Sequence, residues 1–278
     1  MLQSTVLEVV IGLVFCYASV ALIVSSISEA IASVLKLRSE SLLKGVKSLL
    51  NDEKFTGLAL ELYNHALINP TAGGKATTER DLQHKPSYIE SKQFAVALID
   101  VLQTAGGDFV ALGNDIEKIP DPQLQQLLKG MHARAAGKIE NLRSELASWF
   151  DSGMERVSGA YKRQSQLICF LLGLLIALLF NVDSIHLFQS LWQHPTLAAQ
   201  ISLPNSPDAA GALNGLKQLP IGWKELPRAL DAGLLLMLVG WLVTASSALF
   251  GAPFWFDLLQ RMVQLRGTGK KPEEDAKK

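Results

Sequence analysis

Apolar residues in this chain gather into three blocks separated by long amphipathic stretches. The second block is the most demanding. Leu167–Val182 carries one polar side chain, Asn181, and no charge, and Lys162 and Arg163 stand directly before it. A helix of this length reaches ~24 Å, close to the ~30 Å hydrocarbon core once its flanks are added. The first block is Thr5–Ile27, with Glu8 near one end. A signal peptide is its rival, but residues 1–4 hold no Lys or Arg, and the block exceeds the usual apolar region of ~7–15 residues. We take it as an uncleaved span. The third block, Ala232–Phe250, contains no charge. Three spans are therefore predicted.

Basic residues near the span ends set the orientation. Lys36, Arg38 and Lys44 follow the first span. Arg156, Lys162 and Arg163 precede the second, and Arg261, Arg266, Lys270 and Lys271 follow the third. The stretch 184–231 has only Lys217, Lys224 and Arg228. All three ends agree on an outside N-terminus, an inside stretch 28–165, an outside loop and a cytoplasmic C-terminus.

Helical periodicity continues past the first span through Ile31, Val34, Leu35, Leu42, Val46 and Leu50, with no proline before Pro70. One helix over Thr5–Leu50 is expected. Asn51-Asp52 offers a cap for a short helix over Phe55–Ile68. Pro70–Pro86 reads as a mobile loop. Ser91–Leu102 is an amphipathic helix, Gly106-Gly107-Asp108 a break, and Phe109–Ile119 another helix. After Pro120-Asp121-Pro122, a stripe from Leu124 through Leu128, Met131, Ala135, Leu142, Leu146 and Phe150 to Tyr161 recurs every ~3.7 residues. It predicts one helix over Pro122–Val182, with Gly130, Gly137, Gly153 and Gly159 as places to bend. Two long helices with apolar stripes on the same side of the membrane are best covered by pairing antiparallel, with the helices of 55–119 filling the remaining side. The expected fold is all-α, with three transmembrane helices, two of them extended into a cytoplasmic helical bundle.

Residues 184–231 carry five prolines and little periodicity, so a loop on the outer face is expected, with Val182–Gln193 briefly prolonging the helix. Pro253 suits a first helical turn and Gly267 a stop. Between them Asp257, Gln260, Arg261 and Gln264 form a polar stripe. Phe254, Trp255 and Phe256, with Arg261 and Arg266, mark an interfacial amphipathic helix; packing beneath the bundle is the other reading, and both can hold. The boundaries are a first span at 1–27, a cytoplasmic domain at 28–165, a second span at 166–183, an outer loop at 184–231, a third span at 232–250, the interfacial helix at 251–267 and a disordered tail at 268–278.

Lys and Arg number 26, as do Asp and Glu, so charge balance points to no nucleic-acid partner. Cys16 and Cys169 both lie in apolar runs and read as packing residues. His65, His84, His132, His186 and His194 form no ligand spacing. Acidic pairs such as Asp52-Glu53 read as caps or solvated groups. Gly73-Gly74-Lys75 lacks phosphate-loop spacing. No catalytic residue, metal site, cofactor or small-molecule substrate is inferred, and an enzyme is not expected. With Glu8 as the one charge inside the spans, transport is disfavoured. Small residues line two spans: Ala18, Ala21 and Ser25 on the first, Gly233, Gly240, Thr244 and Ser247 on the third. They allow close helix approach within the chain or between subunits.

The segments 27–50, 146–167 and LFGAPFWFDLLQRMVQLRGTG at 249–269 resemble a widespread group of uncharacterised bacterial inner-membrane proteins. The resemblance covers most of the chain apart from its loops. It implies a bacterial cytoplasmic membrane and transfers no catalytic residue. The expected function is a membrane-anchored, non-enzymatic interaction or assembly protein, its partners the lipid bilayer and a protein or further copies of itself. The alternative is an oligomeric pore or permeability-changing effector, whose polar face would come from Thr244–Ser247 and Ser25–Ser28.

Overall fold

All regular secondary structure among the described residues is helical. The computed structural model describes residues 2–71, 73–103, 108–194, 208–223 and 232–267. The helices are α1 (Leu2–Val34), α2 (Leu37–Leu49), α3 (Leu58–Asn64), α4 (Ser91–Leu102), α5 (Phe109–Ile116), α6 (Pro122–Arg134), α7 (Ile139–Phe180), α8 (Ser184–Gln193), α9 (Ala209–Leu216), α10 (Ala232–Ser247) and α11 (Ala252–Gly267). The chain divides into two units, residues 32–163 and residues 1–31 with 164–278. The glycines at 106 and 107, four of the five prolines of 184–231 and the tail 268–278 lie outside the described residues.

Two expected helices are each two. The run Thr5–Leu50 breaks after Val34, where Lys36 takes a left-handed conformation with φ 50°. Its carbonyl then accepts the Glu40 N–H at 3.0 Å, opening α2. The run Pro122–Val182 breaks where Ala136 and Gly137 have φ 51° and 79°. The apolar stripe survives that turn, because Leu128 and Met131 on α6 and Leu142, Leu146 and Phe150 on α7 are buried in one core. A turn that keeps the stripe in phase is indistinguishable by periodicity from a straight rod. α7 nevertheless runs 42 residues without interruption.

In the unit 32–163, local chemistry sets the helix starts. The Asp52 carboxylate accepts from the backbone N–H groups of Thr56, Gly57 and Ala59, so α3 begins at Leu58 rather than at Phe55. Asp108 and Asp121 cap α5 and α6. Pro122 stands at the first turn of α6, where its missing N–H is harmless. α2 and α7 run antiparallel in close contact. A Cβ at Gly45 would lie 2.6 Å from Val157 Cγ2, and one at Gly153 would lie 2.8 Å from Leu49 Cδ1. Phe94 of α4 stacks on Phe150 of α7 with ring centroids 4.1 Å apart.

The stretch 70–86, expected to be mobile, is tied down. Asn64 pairs with the backbone of Ala76 in both directions, at 2.8 and 3.0 Å. The Asn69 amide donates to the His84 carbonyl at 2.6 Å. Lys47 contacts Glu79 at 2.8 Å, and Lys85 bridges Glu40 at 2.7 Å and Glu79 at 3.4 Å. The Lys47 hydrogen bond, reinforced by the charges of both lysines, holds the Glu79 carboxyl below the usual carboxylate range. Its folded pKa lies under its unfolded value. The clasp's stabilisation is therefore complete above the ordinary range and lost as pH falls through the lowered folded value. Thermal melts of this unit on acidification should show a falling midpoint, and Glu79→Gln should flatten that limb. An acid limb unchanged by the substitution would show that the clasp contributes nothing.

The other unit is built around α1. Of its most apolar window 56% is buried, against 17% for α7 and 33% for Gly233–Phe250. These three helices are long and apolar enough to cross a membrane. Val9, Phe15, Val20 and Val24 of α1 share a core with Ile176 of α7, Leu187 and Leu191 of α8, Leu216 of α9 and Leu259 of α11.

Candidate functional site

Polar groups in this second unit converge where α7 gives way to α8. Asn181 adopts a left-handed conformation, φ 45°, which asparagine tolerates better than most residues. The Val182 N–H reaches back to the Ala177 carbonyl at 2.9 Å, the bond pattern that closes a helix C-terminus. Two residues later Asp183 opens α8, its Oδ1 accepting from the N–H groups of Ile185 at 2.8 Å and His186 at 3.2 Å. The expected prolongation of α7 through Gln193 is thus a second, separately capped helix.

Freed backbone groups at the break find partners from far along the chain. Trp223 Nε1 donates to the Leu178 carbonyl at 3.1 Å. Asn181 donates to the Gly222 carbonyl at 3.0 Å and accepts from Trp241 Nε1 at 3.0 Å. A row of hydroxyls crosses three helices. Tyr17 of α1 donates to Ser184 Oγ at 3.0 Å, Ser184 lies 2.7 Å from Thr244 Oγ1, and Thr244 lies 2.7 Å from the Val182 carbonyl. Each hydroxyl carries one proton. The consistent order is Tyr17 to Ser184 to Thr244 to the carbonyl.

Two rulers locate this junction along the apolar helices. Along α1, Ser28 meets Cys169, Tyr17 meets Ser184 and Gly12 meets Leu191. Tyr17 lies 28 − 17 = 11 residues, ~16 Å, from Ser28 and 17 − 5 = 12 residues, ~18 Å, from Thr5. Along α10, Gly240 lies seven residues, ~10 Å, from Gly233 and seven residues, ~10 Å, from Ser247. Both measures place the break well inside the apolar runs. There Asp183 is 7% exposed, and a Cβ on Gly240 would fall on its carboxylate oxygen. A cavity of about 320 Å³ opens beside it, lined by Asn181, Asp183, His186 and Gln189 with Leu236 and Met237 among others.

The sequence-predicted residues divide around this junction. Gly240 and Thr244 belong to it. Ser247 lies one turn further on, its hydroxyl donating to the Thr244 carbonyl at 2.7 Å. Gly233 lines the cavity. Ala18 and Ala21 are fully buried on α1 and Ser25 half-buried. Of the aromatic group, Phe254 is exposed and Phe256 half-buried. Trp255 turns inward, its ring 5.0 Å from that of Tyr17 and its Nε1 donating to the Ser247 carbonyl at 2.7 Å. Arg261 is exposed, and the Arg266 side chain lies outside the described residues. Elsewhere, His132 stacks on Phe109 at 4.0 Å. Among the described residues no group of three or more His, Cys, Asp or Glu is placed to hold a metal ion.

Sequence reading missed Tyr17, Asn181, Asp183, Ser184, Trp223 and Trp241. A signal was present. Asn181-Val182-Asp183-Ser184 is a C-terminal stop followed at once by an N-cap, at the end of the apolar block Leu167–Val182. Compared with protein families, curated proteins and solved structures, the chain finds no match.

Proposed function

We propose that this chain is a three-span anchor of the bacterial cytoplasmic membrane, N-terminus outside and C-terminus inside. It holds the helical unit 32–163 in the cytoplasm as a non-enzymatic interaction or assembly surface. One observation carries the reading: apolar faces on two of the helices stay uncovered. Leu167, Leu171, Leu175 and Leu179 of α7 and Leu235, Val239 and Leu242 of α10 are all more than 40% exposed. Continuous exposed apolar surface of this kind fits lipid. The basic residues near the span ends and the resemblance of the 249–269 segment support the orientation and the bacterial membrane. The alternative, an oligomeric pore, needs an outward polar face. Thr244 and Ser247 are buried and bonded within the chain, and of Ser25–Ser28 the exposed Ser26 donates its hydroxyl to the Leu22 carbonyl while Ser28 accepts from Cys169, which favours the anchor.

Single cysteines in a background with Cys16 and Cys169 replaced test the topology. In intact cells with a permeable outer envelope, an impermeant maleimide should label Gln218→Cys at once and Lys54→Cys only after lysis. The reverse pattern would overturn the orientation. Photo-crosslinkers at Tyr88 and Val110, apolar positions 76% and 70% exposed on the unit 32–163, should give adducts heavier than the monomer in native membranes. Monomer alone at both positions would overturn the interaction role.

A further inference from the structure

The cavity beside the helix break has a composition that selects a ligand class. Asp183 is the one formal charge among its described lining residues, and it forms no ion pair with any described side chain. Two backbone N–H groups meet Oδ1. The N-terminus of α8 favours a negative charge at this point, and an opposite charge in the cavity would complement it. Around Asp183 stand further acceptors, the amide oxygen of Gln189 and the one unprotonated ring nitrogen of a neutral His186, with Leu236 and Met237 forming an apolar wall. No Phe, Tyr or Trp is among the described lining residues. Quaternary ammonium groups prefer aromatic faces, whereas a primary ammonium needs several acceptors for its three N–H donors. The volume of about 320 Å³ lies at the lower end of the range for small-molecule sites, ~300–1,000 Å³.

We propose that this cavity binds a primary ammonium group, with the Asp183 carboxylate as its counter-charge. The ammonium belongs either to a small soluble amine or to an amine-bearing phospholipid headgroup. The apolar wall would take the carbon skeleton beside the nitrogen.

The test uses the full chain, first in detergent with ethanolamine and choline as probes. It is then repeated in bilayer discs of matched acyl chains with phosphatidylethanolamine or phosphatidylcholine. At ten times its dissociation constant, ethanolamine should raise the melting midpoint by about 3 °C, and choline should not. If instead only the phosphatidylethanolamine discs raise the midpoint, the ligand is the lipid headgroup, and the proposal also stands. Asp183→Asn keeps an N-cap of equal quality and removes the charge, so it should abolish either shift. Leu236→Trp fills the cavity from its apolar side without touching the cap and should do the same, which guards against misfolding of the first variant. No shift with either probe in the wild type would overturn the proposal. So would an equal shift from choline, potassium or sodium, or a shift that survives in both variants.

Discussion

Replacing Gly240 by alanine will drive α8 off α10. The added Cβ falls on the Asp183 carboxylate oxygen, 2.6 Å from its Cγ and 3.3 Å from the Ile185 nitrogen. Asp183 cannot swing aside without surrendering the two N–H groups it caps. Loss of such a cap costs ~1 kcal/mol, and forcing extra volume into a packed site costs a further ~1–3 kcal/mol. The sum, ~2–4 kcal/mol, is a large part of a typical folding free energy of ~5–15 kcal/mol. Thermal melts in detergent should show a midpoint lower by several degrees, with reduced accumulation in membranes. The double variant Gly240→Ala with Asp183→Ser separates collision from other effects. Serine is a shorter side chain that still caps, so the pair should recover much of the loss, a non-additivity that residues in contact display. A double variant no better than the sum of its parts would show that the carboxylate is not what the methyl meets.

Phe94→Ala will cost the unit 32–163 about 3–5 kcal/mol, the range for truncating a buried aromatic. Phe94 is fully buried, stacked on Phe150 at 4.1 Å and edge-on to Trp149 at 6.2 Å. It lies where α4 meets α7, so its ring is shared by two elements distant in sequence. Trp149 supplies the readout, since the other four tryptophans, at 192, 223, 241 and 255, belong to the second unit. Urea unfolding followed by the Trp149 resonance of the fluorotryptophan-labelled full chain, with the other four tryptophans kept, should show the midpoint move by that margin. A shift under about 1 kcal/mol would mean that the site collapses around the missing ring and that the core is loosely held.

Much of this architecture was legible because hydropathy and period-3.6 patterning act locally. The three apolar blocks became the three membrane-length helices. Ser91–Leu102 formed with the expected bounds, and α11 starts and stops beside Pro253 and Gly267. The breaks were harder for physical reasons that differ from place to place. At Lys36 no glycine or asparagine marks the left-handed residue, so nothing local distinguishes it from the helix around it. At Ala136-Gly137 the turn preserved the phase of the stripe, so periodicity was blind to it, although Gly137 was one of the bends foreseen. At Asn181–Asp183 the caps were visible, but the apolar residues on both sides outweighed them. The candidate site was the least legible part. Its members come from α1, the α7–α8 junction, the segment after α9, and α10, and only tertiary packing brings Tyr17 to Ser184 across 167 positions of sequence. Gly240 and Thr244 were singled out as small residues for close packing. That Gly240 leaves room for a carboxylate is a fact about its neighbour.

The partners of the α7–α8 break arrive late in synthesis. Its carbonyls at Leu178 and Val182 and the amide of Asn181 wait for Trp223, Trp241 and Thr244, between 45 and 62 positions further on. A ribosome releases the break before it releases what satisfies it. Until the last hydrophobic block emerges, the nascent chain must keep that kink hydrated or otherwise sheltered. Truncation between residues 183 and 232 should therefore leave a product that the cell's quality control recognises and degrades.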